Sequence, residues 1–360
     1  MLRIFCCLFE TGLLFSQTPQ ELTVISVGDI FIHKSILNSA YDPKEKYYNF
    51  YPCFEEVKPY LSSVDLCTAW FGGALDTIGP YTGYPSFKTP RELAYTLKDA
   101  GFDILFRTNH TLDYGLRGLK TTTKILKDMG LVQVGAYITE EESKEIYVFE
   151  KSDIKIAFLS YTYGMNGIPI PKPWMIKLID LEEIKKDIEK AKPICDFVIV
   201  ALHFGIEYER FPNKEQKKTV KRIAELGADM IIGSHPHVIQ PVEVVELQNK
   251  KIFVAYSLGN FFCGQRKRYT DTGMMLKYTI AKDGNATYLR EIRYIPTYVA
   301  KYRVDGAYRF KILPVEKSLK LYQQDSLRYI GRNNYERMFN ALRETVDHID
   351  NPDIGFTRLE

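Results

Sequence analysis

The sequence predicts an α/β protein in which one mixed sheet, or a pair of sheets, is flanked by helices. Apolar, β-branched runs alternate with amphipathic segments that end at a glycine, which is typical of alternating strands and helices. Two further pairs of apolar runs are joined by short polar links, as in hairpins. With 360 residues, 45% of them hydrophobic, the chain is long enough to bury a large core.

Strands and helices alternate along the first half of the chain. A β-branched run that ends at Gly28 and Asp29 predicts the first strand. Gly101 and Gly130 predict the ends of two helices, because glycine readily adopts the left-handed conformation found there. The predicted elements are strand 22–27, helix 54–61, strand 64–70, helix 91–100, strand 102–106, helix 116–129 and a strand from 132.

The second half contains both hairpins. They pair 146–150 with 154–161 and 242–247 with 252–256. The other predicted elements are helix 181–192, strand 197–202, helix 214–226, strand 228–232, strands 274–280 and 288–294, and a helical tail over 317–346. We therefore divide the chain into one domain over residues 22–302 and a mostly helical C-terminal appendage over residues 303–360.

Residues 1–17 have the features of a secretory signal peptide. A positive charge at Arg3 precedes an apolar region, which is followed by small and polar residues. Glu10 interrupts the apolar region, and the alternative is an ordinary N-terminal strand or helix. The signal peptide predicts a protein exported to the periplasm, the cell envelope or the extracellular space.

Charge and cysteine content argue against two other classes of protein. The net charge of +3 is small and the basic residues are dispersed, so no nucleic-acid partner is predicted. The four cysteines beyond residue 17 have no C-x-x-C spacing, so we predict no disulfide framework.

Two histidines, His235 and His237, follow one predicted strand and flank Pro236. Side chains at i and i+2 of extended backbone point the same way, so the two imidazoles are predicted to face one ligand. Imidazole is a common ligand of zinc, iron, manganese and nickel. The alternative is a pair of ordinary loop histidines.

Other polar side chains stand at the ends of other predicted strands. Asp29 ends the first strand, Asn109 and His110 follow a later one, and His203 follows the run at 197–202. Ligands of open α/β sheets bind at the carboxyl ends of the strands. We therefore predict that these side chains converge with the two histidines on one sheet edge.

Six ordered motifs surround these residues. They are 27–29 (VGD), 108–115 (TNHTLDYG), 161–164 (YTYG), 203–208 (HFGIEY), 233–237 (GSHPH) and 256–260 (YSLGN). Together they resemble the CapA or PgsA family of capsule-associated proteins, which is named for poly-γ-glutamate biosynthesis and belongs to the calcineurin-like metallophosphoesterase fold group. The resemblance covers roughly residues 23–302 and implies an α-β-β-α sandwich of mixed sheets flanked by helices.

The resemblance also implies a divalent metal ion, with manganese, iron and zinc as candidates, and hydrolysis of a phosphoester or acyl bond. The implied partners are an anionic envelope polymer or its precursor and membrane synthase subunits. The implied metal ligands are Asp29, Asn109, His203, His235 and His237. His110 is the implied acid or transition-state stabiliser, and Asp29 and Asn109 complete the catalytic set.

Four carboxylate, hydroxyl and amide side chains could support this site. Glu207 and Asp113 either orient the histidines or are surface and turn carboxylates. Ser257 and Asn260 either line the pocket or serve the turn that follows a hairpin strand.

The sequence departs from the family pattern at four positions. Trp70 stands where an asparagine is expected and Gly72 where a glutamate is expected, and neither offers a lone pair to a metal. Strand alternation predicts that both face the pocket. Arg107 adds a cation there, and Phe31 replaces the histidine that other metallophosphoesterases carry. The alternative function is therefore a non-catalytic, polymer-binding or assembly subunit.

Overall fold

The structure is a computed structural model that describes residues 19–248 and 250–359. The predicted signal peptide lies outside the described residues. The strands are β1 (Gln20–Phe31), β2 (Tyr41–Asp42), β3 (Tyr47–Tyr48), β4 (Leu66–Phe71), β5 (Ala74–Asp76), β6 (Lys88–Pro90), β7 (Ile104–Arg107), β8 (Val132–Val134), β9 (Tyr147–Lys151), β10 (Ile154–Thr162), β11 (Phe197–His203), β12 (Met230–Ser234), β13 (Ile239–Leu247), β14 (Lys250–Leu258), β15 (Asn260–Cys263), β16 (Thr272–Asp283), β17 (Ala286–Val304), β18 (Ala307–Pro314) and β19 (Thr357–Arg358). The helices are α1 (Lys34–Ala40), α2 (Tyr51–Phe54), α3 (Lys58–Leu61), α4 (Glu92–Ala100), α5 (Gly115–Asp128), α6 (Glu140–Lys144), α7 (Leu181–Ala191), α8 (Lys214–Leu226), α9 (Val315–Gln323) and α10 (Arg332–Ile349).

The first sheet is built around β1. Its strand order is β18-β17-β16-β1-β4-β7-β8, with β15 paired to the end of β1 and β19 paired to β17. β1 runs parallel to β4 and antiparallel to β16, so the sheet is mixed. Val24 and Ile25 of β1 are both buried, on opposite faces of the sheet. This central position brings the C-terminal end of β1, with Asp29, into the interior.

The second sheet contains both predicted hairpins. Its strand order is β13-β14-β12-β11-β10-β9. β9 pairs antiparallel with β10, and β13 pairs antiparallel with β14, so both hairpins are confirmed. β10, β11 and β12 are parallel neighbours, which places the ends of β11 and β12 side by side.

The two sheets pack face to face. One apolar layer joins Val24 and Phe106 of the first sheet to Phe158 and Ile232 of the second. A second apolar cluster lies between the first sheet and α4 and α5, and a third lies between the second sheet and α7 and α8. The α-β-β-α sandwich of mixed sheets is therefore confirmed. In the described part of the chain, no helix is both long and apolar enough to cross a membrane.

The C-terminal residues are joined to the first sheet. The predicted boundary at 302/303 falls inside β17, which continues to Val304 and pairs with β18. Helices α9 and α10 then pack on β17 around Leu319 and Met338, and β19 returns to pair with β17. Residues 303–360 thus extend the sheet through β18 and β19, and the apolar faces of the two helices are buried against it.

Candidate functional site

The predicted site residues come from both sheets. Asp29 lies near the end of β1, and Asn109 and His110 follow β7 of the same sheet. His203 ends β11 of the second sheet, and the histidines at 235 and 237 follow β12. The prediction that all six converge on one sheet edge is wrong, because the two sheets face each other and bring the side chains together between them.

The backbone at His235 and His237 differs from the predicted extended geometry. Their φ angles are 107° and 60°, both in a region that residues other than glycine rarely adopt. β12 ends at Ser234, so strand alternation does not orient the pair. The two ring centroids nevertheless lie 6.1 Å apart, and the backbone strain marks this turn as a functional candidate.

Asp29 is the central carboxylate of the cluster. It is fully buried, and its Oδ2 lies 3.1 Å from Nδ1 of His237. The same Nδ1 lies 2.9 Å from Oδ1 of Asn260. Burial alone would lower the pKa of His237, but the hydrogen bond and charge of Asp29 outweigh it and raise that pKa.

His203 joins the two sheets. Its Nε2 lies 3.0 Å from Oδ1 of Asn109, and its Nδ1 lies 3.7 Å from Oδ1 of Asp29. Its ring centroid lies 4.9 Å from that of His235. Burial lowers the pKa of His203 well below its usual value, and burial with nearby histidines lowers the pKa of His235 to about 3. Both imidazoles are therefore neutral at pH 7, the form that binds metals.

Three buried atoms of this cluster have no hydrogen-bond partner. They are Oδ1 of Asp29, Nδ1 of His203 and Nδ1 of His235. Buried polar atoms are normally paired, so such atoms require an explanation. The carboxylate oxygen carries lone pairs that can bind a cation, and each Nδ1 offers one in the tautomer that is protonated at Nε2.

His110 is held by a carboxylate. Its Nδ1 lies 3.0 and 2.9 Å from the two oxygens of Asp113, which also accepts a hydrogen bond from the backbone N–H of Phe87 at 2.7 Å. The structure thus places Asp113 as an orienting partner of His110. The other ring nitrogen, Nε2, lies 3.2 Å from Nδ2 of Asn166.

Tyr163 and Asn166 contact the site from the segment after β10, and sequence reasoning assigned neither of them a role. Asn166 also accepts a hydrogen bond from Asn109, and Tyr163 packs its ring 4.5 Å from that of His235. Tyr163 belongs to the 161–164 motif, which was a usable signal. Asn166 precedes a glycine in a turn, a pattern that by itself predicts only the turn.

Phe31 lies at the centre of the site. Its ring is fully buried and lies 5.3 Å from the ring of His110 and 5.4 Å from that of His237. A Cβ atom added to Gly72 would lie 1.9 Å from Cε1 of Phe31. The phenylalanine ring therefore fills the space into which a side chain at position 72 would point.

Trp70 has different surroundings from Gly72. β4 ends at Phe71, and the Trp70 indole is buried in the apolar layer between the sheets, 5.1 Å from the ring of Phe106. Its Nε1 has no hydrogen-bond partner. The predicted common face of positions 70 and 72 thus does not correspond to one shared cavity, because the chain leaves the strand between them.

Arg107 is also buried beside the site. Its Nη2 donates a 2.7 Å hydrogen bond to the carbonyl of Gly73, and its guanidinium lies 5.0 Å from the centre of the Phe71 ring. Burial lowers its pKa to about 9. These contacts are those of a side chain that anchors the 72–73 turn.

A cavity of about 350 Å³ opens next to this cluster. Its walls include Phe31, Phe87, His110, His237, Glu207 and Lys267. Glu207 thus lines this cavity, whereas the Ser257 hydroxyl donates to the carbonyl of Val238 at 2.8 Å and accepts from the N–H of Gly259 at 3.2 Å in the turn that follows β14. In the part of the chain that the structure describes, no group of three or more His, Cys, Asp or Glu side chains has the arrangement of a formed metal site.

A family model described as "Bacterial capsule synthesis protein PGA_cap" matches residues 23–265. Capsule biosynthesis protein CapA of Bacillus anthracis is 29% identical over 280 residues, which cover 74% of this chain and 66% of the relative. PGA biosynthesis protein CapA of Bacillus subtilis is 32% identical over 206 residues, which cover 56% of this chain and 53% of the relative. The chain thus spans less than two thirds of the length of either relative.

Two solved structures are similar to this chain at low sequence identity. The calcineurin-like phosphoesterase YfkN of Bacillus subtilis is 14% identical, with a TM-score of 0.47 over 87% of this chain and 99% of that chain. The NAD nucleotidase of Haemophilus influenzae is 12% identical, with a TM-score of 0.48 over 92% of this chain and 61% of that chain.

Proposed function

Since this chain belongs to the bacterial capsule synthesis protein family, PGA_cap, we propose that it acts in the synthesis of a capsule or cell-envelope polymer through a metal-dependent, hydrolase-type site. Membership confirms the resemblance that the sequence motifs indicate. The curated relatives are named for capsule and PGA biosynthesis, so the proposed substrate is an anionic polymer such as poly-γ-glutamate, or its precursor. Membrane synthase subunits are the proposed protein partners.

The observation that carries the proposal is the set of buried donor atoms between the sheets. Metal–ligand bonds of about 2.0–2.2 Å place two ligands of one ion roughly 3–4 Å apart. Asp29 faces His237 and His203 at 3.1 and 3.7 Å, and His203 faces Asn109 at 3.0 Å. His203 faces Asp29 through Nδ1 and Asn109 through Nε2, and one ion binds only one nitrogen of a ring, so the chemistry of the donors supports the proposal more than their spacing does. Carboxylate, carboxamide and imidazole groups together suit a divalent cation held by Asp29, Asn109, His203, His235 and His237. When bound, such a cation supplies Lewis-acid activation of water and of a phosphoryl or acyl oxygen.

The remaining residues have complementary roles. Asp113 fixes the ring of His110 through Nδ1, so Nε2, which faces Nδ2 of Asn166 at 3.2 Å, is the nitrogen that would exchange a proton with a reacting group in place of that contact. His110 and His237 both line the cavity of about 350 Å³, so a ligand in that cavity reaches both. Lys267 in the cavity wall offers a positive charge to an anionic chain.

Metal content tests the proposal. The protein is purified, stripped with a chelator, reloaded with manganese, iron or zinc, and measured by elemental analysis, with hydrolysis of a general phosphodiester and of poly-γ-glutamate followed in parallel. His203→Ala and His235→Ala should lose the metal and any hydrolysis, whereas His348→Gln, which lies outside the site, should retain both. A folded wild-type protein that binds none of the three metals would rule out the metal-dependent function.

One observation favours the alternative, a non-catalytic polymer-binding or assembly subunit. The ring of Phe31 occupies the space beside Gly72, where the family pattern places a glutamate. The proposed metal site therefore has one carboxylate ligand fewer than the family pattern implies. The alternative predicts polymer binding, measured by co-sedimentation, in protein that contains no metal and hydrolyses nothing.

We also propose that the protein is exported to the cell envelope or beyond. The basic start and apolar region of residues 1–17 support export. Mass spectrometry of the N-terminus of protein from envelope material is expected to show cleavage near residue 16 or 17. Recovery of an intact Met1 there would argue against the signal peptide.

A further inference from the structure

The carboxamide of Asn109 is bonded at both of its ends. Its Oδ1 faces Nε2 of His203 at 3.0 Å, on the buried side of the site. Its Nδ2 donates two hydrogen bonds on the opposite side, to the hydroxyl of Tyr163 at 3.0 Å and to Oδ1 of Asn166 at 3.1 Å. The two nitrogen-bound protons of Asn109 are therefore both engaged by the segment after β10.

Asn166 is in turn fixed in orientation. The Tyr163 hydroxyl donates to its Oδ1 at 2.8 Å, so this oxygen accepts from two donors. Its Nδ2 consequently faces Nε2 of His110 at 3.2 Å. One exposed side chain thus contacts two buried residues of the site, Asn109 and His110.

The backbone of this segment keeps the two side chains in place. Asn166 and Gly167 have φ angles of 51° and 80°, and asparagine tolerates this region better than most residues. The N–H of Tyr163 donates to the carbonyl of His203 at 3.0 Å, and that of Ile168 donates to Met165 at 2.9 Å. The turn is therefore tied directly to the strand that carries His203.

We propose that Tyr163 and Asn166 form a positioning clamp that holds the Asn109 carboxamide with its oxygen toward the buried histidines. The two ends of a carboxamide are alike in size, so an unclamped Asn109 could turn its amino group toward the site, where it has no lone pair for a cation. Partners that orient a ligand in this way contribute strongly to metal affinity. The inference rests on the proposed function in that it treats Asn109 as a metal ligand.

Metal affinity provides the first test. Asn166→Ala removes one of the two acceptors for the Asn109 amino group, and also the acceptor that fixes the Tyr163 hydroxyl, so it is expected to weaken metal binding about 10–100-fold. Tyr163→Phe removes one hydroxyl and should weaken it less. Lys172→Gln, on the same segment and without a contact to Asn109, is the matched control and should bind as wild type. Equal affinity in wild type and Asn166→Ala would overturn the proposal.

Asn166→Asp separates the two contacts of this side chain. A carboxylate still accepts from Asn109 and Tyr163 but has no N–H for His110, so affinity should recover toward wild type if the clamp acts through Asn109. An affinity as weak as that of Asn166→Ala would overturn the proposal, because the contact with His110 would then be the one that matters.

A second measurement does not depend on metal. In protein labelled with ¹⁵N-asparagine and freed of metal, the side-chain NH₂ of Asn109, assigned by its loss in Asn109→Asp, should exchange slowly with solvent. Asn166→Ala should make this exchange faster, and Lys172→Gln should not. Unchanged exchange in Asn166→Ala would overturn the clamp, whereas slow exchange in a wild-type protein that binds no metal would contradict only the proposed function.

Discussion

Replacing Gly72 by alanine is expected to destabilise the protein because Phe31 already fills the space. The added Cβ would lie 1.9, 2.3 and 2.6 Å from three ring carbons of Phe31, whereas carbon atoms in contact are normally about 3.5–4.0 Å apart. The ring packs against Phe87, His110 and His237 at centroid distances of 5.1, 5.3 and 5.4 Å, so moving it aside would disturb all three contacts.

The size of the effect follows from these contacts. Overpacking of this kind costs about 1–3 kcal/mol of unfolding free energy. Phe31→Ala alone should cost about 3–5 kcal/mol, because the ring is fully buried. In the double variant the alanine at 72 no longer meets the ring. The loss of unfolding free energy in the double variant should therefore be smaller than the sum of the two single losses by about 0.5–3 kcal/mol.

Urea denaturation of the four proteins measures this cycle. The midpoint should shift without a change in the denaturant slope, since a local clash does not alter the surface exposed on unfolding. Gly164→Ala is the control, because a Cβ there meets nothing within 4 Å, and it should stay within about 0.5 kcal/mol of wild type. If Gly72→Ala were equally stable, or if the two substitutions were additive, the assignment of this space to Phe31 would be wrong.

Three further predictions concern pH, the buried tryptophan and the metal ligands. Burial lowers the pKa values of three histidines, so between pH 6.5 and about 4 the unfolded chain binds protons that the folded chain does not. The free energy of unfolding, measured in the presence of chelator, should therefore fall as the pH falls, by up to about 1.4 kcal/mol per pH unit for each histidine. The raised pKa of His237 opposes this fall in part, and a free energy of unfolding that stays constant from pH 7 to 5 would contradict the prediction. The three are His33, His203 and His235. Trp70→Asn should cost about 3–5 kcal/mol in urea denaturation because the indole is fully buried between the sheets, and Trp70→Phe should cost clearly less, since the indole N–H has no partner to lose; equal costs would refute this. Phe31→Ala with Gly72→Glu should raise metal content by elemental analysis because loss of the ring frees the space that the glutamate needs, whereas Gly72→Glu alone should not because the ring blocks it; a folded double variant with no gain would remove position 72 from the ligand set.

Local patterns in the sequence determined most of the elements. The β-branched run before Asp29 forms the central strand, and Gly101 and Gly130, with φ angles of 105° and 66°, end their helices as predicted. Both hairpins form because a short polar link between two apolar runs leaves few other ways to bury them. The ordered motifs also identified the family, and the family model that matches residues 23–265 confirms it.

The arrangement of the site was decided by tertiary structure. No local pattern states that the strand before Asp29 and the strand before His203 belong to different sheets, because strand pairing depends on contacts between residues far apart in sequence. His235 and His237 converge through positive φ angles, which the alternation of an extended strand does not describe.

The same reason explains the residues that sequence reasoning misplaced or missed. Gly72 could be recognised as a departure from the family, but only the packed structure shows the ring of Phe31 in front of it. Asn166 lies 57 residues from Asn109 in sequence, and their contact exists because the end of β10 in one sheet faces the end of β7 in the other. The sequence therefore identified the candidate side chains, whereas the packing of two sheets decided which of them meet, since side-chain contacts across a sandwich depend on long-range geometry that no local pattern encodes.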